Sequence, residues 1–151
     1  MKWPRYYVDT SVIGGCYDEP FAAQTTALID IARRGELVLL ISDLLLEELA
    51  RAPQAVREVL PSIPQANREL ITASEESIRL RDAYLAANVV GPSSLADAHH
   101  VALASIAKAD LIVSWNFKHI VHVDKIRGFQ SVNLKLGYGI IDIRSPLEVI
   151  P

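Results

Sequence analysis

Residues 37–52 read Leu37-Val38-Leu39-Leu40-Ile41-Ser42-Asp43-Leu44-Leu45-Leu46-Glu47-Glu48-Leu49-Ala50-Arg51-Ala52, and this stretch decides the fold class. The run from Leu37 to Ile41 has strand length and no polar alternation, which suits a strand buried on both faces. Ser42 and Asp43 then offer side-chain oxygens to the first free N–H groups of a helix. That helix is predicted from Leu44 to about Ala52, and Pro53 restarts it. A doubly buried strand that passes directly into a capped helix is the repeating step of a parallel sheet covered on both faces.

The same step recurs on either side. Arg5 to Val8 is a short strand ending at Asp9. Asp18-Glu19-Pro20 opens a helix in which Phe21, Leu28, Ile31 and Ala32 recur at helical spacing, and Gly35 stops it. Pro61 and Pro64 break the chain, and Glu69 to Thr72 reads as a third strand. Ser74 or Glu75 opens a helix to about Asn88, and Gly91-Pro92 ends that segment. Ser93 or Ser94 caps a long helix to Ala109, with Ser94 and Asp97 at capping-box spacing. Leu111 to Val113 is a buried strand ending at Ser114. Residues 118–136 read as helix in pieces, and Ile140 to Ile143 as a last strand. The expected architecture is α/β: a three-layer α/β/α sandwich with a central parallel sheet, formed as one domain over residues 1–151. Crossovers between its strands are right-handed, and a ligand site in such a sheet lies at the carboxyl ends of the strands.

The composition agrees. The 151 residues are 50% hydrophobic and 22% charged, which is globular. The single cysteine, Cys16, excludes an internal disulfide and every multi-cysteine metal site. Eighteen acids against fifteen basic residues give a net charge of −3, so the chain is not coated in positive charge for nucleic acid. No basic-then-apolar leader and no apolar run approaching 18 residues is present. These features lead to the expectation of a cytoplasmic protein without a membrane association.

Three acids stand at element ends. Asp9 follows a strand directly, where it serves either as a helix cap or as a carboxylate aimed into the strand-end crevice. On a helical wheel with Leu44 at 0°, Leu45 lies at about 100°, Leu49 at about 140° and Leu46 at about 200°. Glu48 falls at about 40°, on the apolar face, while Glu47 falls at about 300°, outside it. A carboxylate among leucines must be paired or metal-bound, and Arg51, one turn on, is the nearest candidate partner in sequence. Asp97 lies near the start of a helix that is apolar almost all round (Leu95, Val101, Leu103, Ala104, Ile106). If all three carboxylates meet, each pair 4 Å apart repels by about 4 kcal/mol at an effective dielectric of 20. Such a cluster is stable around cations, and all-oxygen ligands select Mg²⁺ or Mn²⁺. Asp9, Glu48 and Asp97 are therefore expected within metal-bridging reach, where a bound ion serves phosphodiester hydrolysis.

Four short motifs in order carry a resemblance. Tyr7-Val8-Asp9-Thr10-Ser11-Val12, the Glu48-Leu49 helix after Ser42, Asp97-Ala98-His99-His100-Val101-Ala102-Leu103-Ala104, and Asp110-Leu111-Ile112-Val113-Ser114-Trp115-Asn116 resemble the PIN domain. They are similar in particular to the VapC-like toxins of type II toxin–antitoxin systems, from Tyr6 to about Ile143. The resemblance implies an endoribonuclease dependent on Mg²⁺ or Mn²⁺, inhibited by a cognate antitoxin and often dimeric. It places the family's catalytic acids, which are also the metal ligands, at Asp9, Glu48 and Asp97. The fourth family acid maps to Asn116, a departure that weakens a second metal position. The hydroxyl two residues earlier maps to Ser114, and the one after the first acid to Thr10 or Ser11, where it would hold a metal-bound water.

Lys118, His119, His122, Lys125 and Arg127 form the basic run next to Asn116; of these, Lys118, His119, Lys125 and Arg127 are the candidates for contact with RNA phosphates. Trp115, beside Asn116, is the aromatic placed to stack a base. His99 falls near the apolar stripe and reads as a satisfied core residue. Adjacent His99 and His100 diverge by about 100° and do not chelate together. Cys16 lacks basic neighbours that would activate it. A second reading keeps the fold without the catalysis: a PIN scaffold weakened at Asn116 that binds protein or RNA. A phosphoacceptor at Asp43 lacks the acidic pair after the first strand. A dehalogenase-type phosphatase needs an acid where Ser11 stands. No Gly-x-Gly-x-x-Gly or Walker loop supports a nucleotide cofactor.

Overall fold

The computed structural model describes residues 2–150. Its strands are β1 (Arg5–Val8), β2 (Val38–Ser42), β3 (Arg68–Ile71), β4 (Leu111–Val113) and β5 (Asp142–Arg144). Its helices are α1 (Thr10–Gly14), α2 (Ala22–Arg33), α3 (Asp43–Leu49), α4 (Gln54–Arg57), α5 (Glu75–Ala86), α6 (Leu95–Ile106), α7 (Val123–Leu136) and α8 (Pro146–Val149). The five strands form one all-parallel sheet in the order β3-β2-β1-β4-β5.

Strand side chains alternate between two cores, as the period of two requires. Tyr7, Leu40 and Ile112 face a core completed by Leu80 and Tyr84 of α5, Val101 of α6 and Phe129 of α7. Val8, Leu39, Ile41 and Val113 face the opposite core, completed by Val12 of α1, Leu28 of α2, Leu45 and Leu49 of α3 and Val56 of α4. The molecule is thus a three-layer α/β/α sandwich, and burial on both faces explains why Leu37 to Ile41 carries no polar residue. Gly35 ends α2 with φ +77°, a backbone value that an L side chain rarely adopts. Among the described residues no helix is long and apolar enough to cross a membrane.

The register positions the site. Val8 pairs with Val113, so Asp9 and Ser114 are the next residues on adjacent strands. Tyr7 pairs with Leu40, two residues short of the end of β2 at Ser42. Connections run outward from β1 to β2 and β3, then jump to β4 on its other side. The crevice between the carboxyl ends of β1 and β4 is the topological switch point, where ligands bind in such sheets.

Three local expectations need correction. Ser94 makes no side-chain cap bond to α6, because its ψ of 28° is far from the extended value of a capping residue. The capping box forms at α5 instead, between Ser74 and Ser77. Residues 118–136 are not helix in pieces: turns lead to one 14-residue helix, α7. The five-residue α1 directly after Asp9 has too few residues to show a period in sequence.

Candidate active site

Asp9 leaves β1 and caps α1, so the cap and the crevice positions are the same place. Its Oδ1 accepts from the Ser11 hydroxyl at 2.6 Å and the Val12 N–H at 3.3 Å. Its Oδ2 accepts from the Ser114 hydroxyl at 2.5 Å. Ser114 Oγ in turn accepts the Asn116 N–H at 2.9 Å. The carboxylate is buried and held on both sides, which fixes its orientation.

Glu48 turns inward and Glu47 is exposed, as the wheel requires. Its partner is not Arg51. The Thr10 hydroxyl donates to Glu48 Oε1 at 2.8 Å, and His100 Nε2 meets the same oxygen at 2.6 Å. His100 Nδ1 lies 2.7 Å from the Tyr7 hydroxyl, which donates to Ser42 Oγ at 2.8 Å. Nε2 faces a carboxylate, which accepts, and therefore presents its N–H to Glu48, while Nδ1 is held by the Tyr7 hydroxyl. Burial alone would raise the Glu48 carboxyl; the His100 hydrogen bond and charge, with the Thr10 hydroxyl, outweigh it and hold the carboxyl below its ordinary value. Beside it opens a cavity of about 210 Å³ lined by Leu44, Glu47, Glu48, Arg51 and Ala96.

Asp97 stands in the first turn of α6, half-buried. Burial pushes its carboxyl up; His119 and His100 pull it down, the Asp9 charge raises it, and a hydrogen bond from Asn116 lowers it. The net direction is up. These couplings place Asp9, Asp97, Asn116 and His119 around one crevice. Asn116 Oδ1 accepts the His119 N–H at 2.9 Å, so its carbonyl oxygen caps the turn, which leaves the amide nitrogen as the group that lowers the Asp97 carboxyl. That division of labour explains how an amide stands where the resemblance would put an acid.

The three acids line the crevice but do not close into one metal-bridging group. Among the described residues no three His, Cys, Asp or Glu side chains are gathered closely enough to hold an ion. Each carboxylate is turned to its own donors instead: Asp9 to serines, Glu48 to Thr10 and His100, Asp97 to Asn116. Thr10 and Ser11 hold carboxylates with the hydroxyls that were expected to hold a metal-bound water. The donors present are all oxygen. Among the described residues Glu48 Oε2 accepts no hydrogen bond, and the Asn116 amide favours the ionised form of Asp97. Such a set fits an ion that binds through one or two carboxylates and keeps most of its waters, as Mg²⁺ does.

Of the basic run, His119 reaches the crevice. Lys118 is exposed on the turn before α7. Lys125 and Arg127 are two residues apart on α7 and so point about 200° apart, which prevents both from facing one phosphate track. Trp115 is only 6% exposed, with its Nε1 donating to Thr25 Oγ1 at 2.7 Å, and is a core residue rather than a stacking platform. His99 is buried and bonded to Ser77 Oγ at 3.0 Å. Burial raises the Cys16 thiol, so little thiolate forms. The roles of His100 at Glu48 and of Phe117 on the exposed turn escape the sequence reading. α6 is buried nearly all round, so a histidine on it breaks no visible pattern.

No protein-family model and no curated protein matches the chain. The functional reading therefore rests on the crevice.

Proposed function

We propose that the protein is a divalent-metal-dependent endoribonuclease of the PIN type, hydrolysing RNA phosphodiester bonds as the toxin of a toxin–antitoxin pair. The observation that carries the reading is that Asp9 follows β1, Glu48 on α3 is tied to Thr10 beside it, and Asp97 at the start of α6 is coupled to Asp9, so that acids from three separate elements stand at one end of the sheet. A cytoplasmic location, a cognate antitoxin and a second copy of the chain as partners belong to the same proposal.

In this mechanism Glu48 and Asp97 would hold Mg²⁺ or Mn²⁺, with Asp9 completing the negative field. The chemistry such an ion would supply is neutralisation of phosphate charge and a more acidic attacking water. Ser11 and Ser114 hold Asp9 so that its remaining lone pairs accept a proton from the attacking water. Thr10 and His100 hold Glu48 by one oxygen and leave the other to the ion. Asn116 keeps Asp97 turned into the crevice, and His119 supplies an N–H donor for phosphate.

The test is cleavage of RNA with and without Mg²⁺ or Mn²⁺. Activity should vanish on chelation and return with the ion. Asp97→Asn should lower it at least ~100-fold, since a metal ligand is lost with almost no change in shape. Wild-type rates from Asp97→Asn would sink the mechanism. The second reading, a weakened PIN scaffold, draws on the Asn116 carbonyl being used to cap the turn. It requires RNA or protein binding without cleavage under any divalent ion.

A further inference from the structure

Phe117 follows Asn116 directly and is 44% exposed, although Trp115 before it and Ile120 after it are buried. The other large exposed aromatics among the described residues stand elsewhere. Trp3 precedes β1, at the opposite end of the sheet, and Tyr17 lies over α2 beside Cys16 and Arg33. Phe117 is thus the exposed ring adjoining Asn116 in the chain.

The ring sits on a rigid base. It meets Trp115 edge-to-face at 6.1 Å and 64°, and Trp115 stacks on Phe21 at 4.2 Å and 20°. Trp115 is pinned twice: its Nε1 to Thr25, and its backbone N–H to Ser11 Oγ at 2.9 Å. It also packs against Gly15, where a Cβ would lie 2.9 Å from Nε1. Ser11 is the same residue that donates to Asp9. The Phe117 N–H bonds to the Trp115 carbonyl at 2.9 Å, and Asn116 ties the turn on to His119. The shelf and the acid therefore share their supports, and no ring among the described residues stacks on Phe117. Lys118, the next residue, adds a cation on the same turn.

We propose that Phe117 is a base-stacking residue, taking an unpaired nucleobase of the RNA next to the phosphate held at the acids. This rests on the nuclease reading. A base offers a flat π-face of any sequence, and an aromatic ring held in place gains from covering it. The pairing is with the nucleoside flanking the cut, because Phe117 Cα is one residue, about 3.8 Å, from Asn116 Cα.

The test uses the full chain in an Asp97→Asn background and short unstructured RNAs carrying 2-aminopurine at successive positions. Stacking should quench the fluorophore at one position. Phe117→Leu, similar in volume, should weaken binding about 5- to 100-fold and abolish that quench, while Phe117→Trp should keep both. Replacing that one nucleoside by an abasic residue should make the chain with Phe117 and its Phe117→Leu form bind alike. Equal binding and equal quenching by Phe117→Leu would overturn the inference and leave the nuclease reading standing. Absence of RNA binding in every form, with no cleavage by the wild-type chain, would remove both.

Discussion

Two buried tyrosines, Tyr7 and Tyr84, are both inaccessible to solvent, and burial raises both hydroxyls above their ordinary value. Their networks differ in how they end. Tyr84 on α5 donates to Asn133 Oδ1 of α7 at 2.5 Å, Asn133 Nδ2 donates to Ser105 Oγ of α6 at 2.9 Å, and Ser105 lies 3.4 Å from the tyrosine oxygen. That triangle closes on itself, contains no ionisable carboxylate and fastens three helices. The Tyr7 network runs from Ser42 through His100 and stops at Glu48, whose second oxygen accepts no hydrogen bond among the described residues. A closed neutral network can only hold structure together. An open one that ends on a carboxylate also sets where that carboxylate points.

The largest expected effect tests the closed network. Asn133→Leu leaves the Tyr84 hydroxyl buried without its acceptor, at a cost of about 1–3 kcal/mol. The melting temperature should fall by roughly 2–12 °C. RNA cleavage below the transition should be unchanged. A loss of kcat with folding intact would mean that the Tyr84 triangle reaches the site, and the contrast would break.

His100→Leu tests the open network. It removes the donor that sets the Glu48 orientation, and a lost outer partner of a metal ligand typically costs 10–100-fold in metal affinity or activity. His100→Gln restores one donor toward Glu48 and should recover part of the loss. Mn²⁺ titration of both variants checks this. Unchanged affinity in His100→Leu would reduce His100 to packing.

How much of this was legible in the sequence depends on the kind of signal. β2 and α3 were readable because an unbroken apolar run and a cap leave few alternatives. Glu48 was separable from Glu47 because α3 is amphipathic, so a misplaced charge shows on the wheel. The role of His100 as the Glu48 partner was not legible because α6 has no polar face against which it could stand out. Its partners, Tyr7 and Ser42, come from strands that only the sheet register brings near. Trp115 and Phe117 were likewise inseparable: two rings in one loop carry no periodicity, and the stacking of Phe21 on Trp115 decides which one is buried. Asn116 was readable as a departure from the acid pattern, but its capping of the turn to His119 depends on a backbone path that the sequence does not specify.

A matched pair of hydroxyl deletions sharpens the comparison. Tyr84→Phe and Tyr7→Phe each remove one hydroxyl from a network that loses a hydrogen bond worth about 1 kcal/mol. Both should lower the melting temperature by roughly 2–4 °C. Only Tyr7→Phe should also slow cleavage, by about 3- to 10-fold, because His100 Nδ1 loses its anchor while Nε2 keeps Glu48. Equal kinetics for the two variants would show that the relay ends at His100.

The smallest effect separates two carboxylates within the crevice, measured as thermal stability in chelator across pH. Glu48 faces His100 and Thr10, with Glu47 and Arg51 beside it, and its folded carboxyl is held below its ordinary 4.5. Its contribution to stability is present above that value and is lost as pH falls through the lower folded value. Asp97 faces Asp9, His100, His119 and Asn116, and its folded carboxyl is raised above 3.8. Its contribution has the opposite sign: it is full below 3.8 and lost as pH rises through the folded value, so the ionised group costs stability at neutral pH. Glu48 is about a third exposed, which screens its share to well under about 1 kcal/mol. At pH 7, Glu48→Gln should therefore melt about 1–2 °C below the wild-type chain, and Asp97→Asn at or slightly above it. The Asp97 difference should shrink toward zero as the pH falls below 3.8, and the Glu48 difference as the pH falls through its lowered folded value, where each carboxyl carries its proton and resembles its amide. The reverse order at neutral pH would mean that Asp97, and not Glu48, is the carboxylate with the better partner, and the open network would have to be redrawn to end at Asn116 and His119.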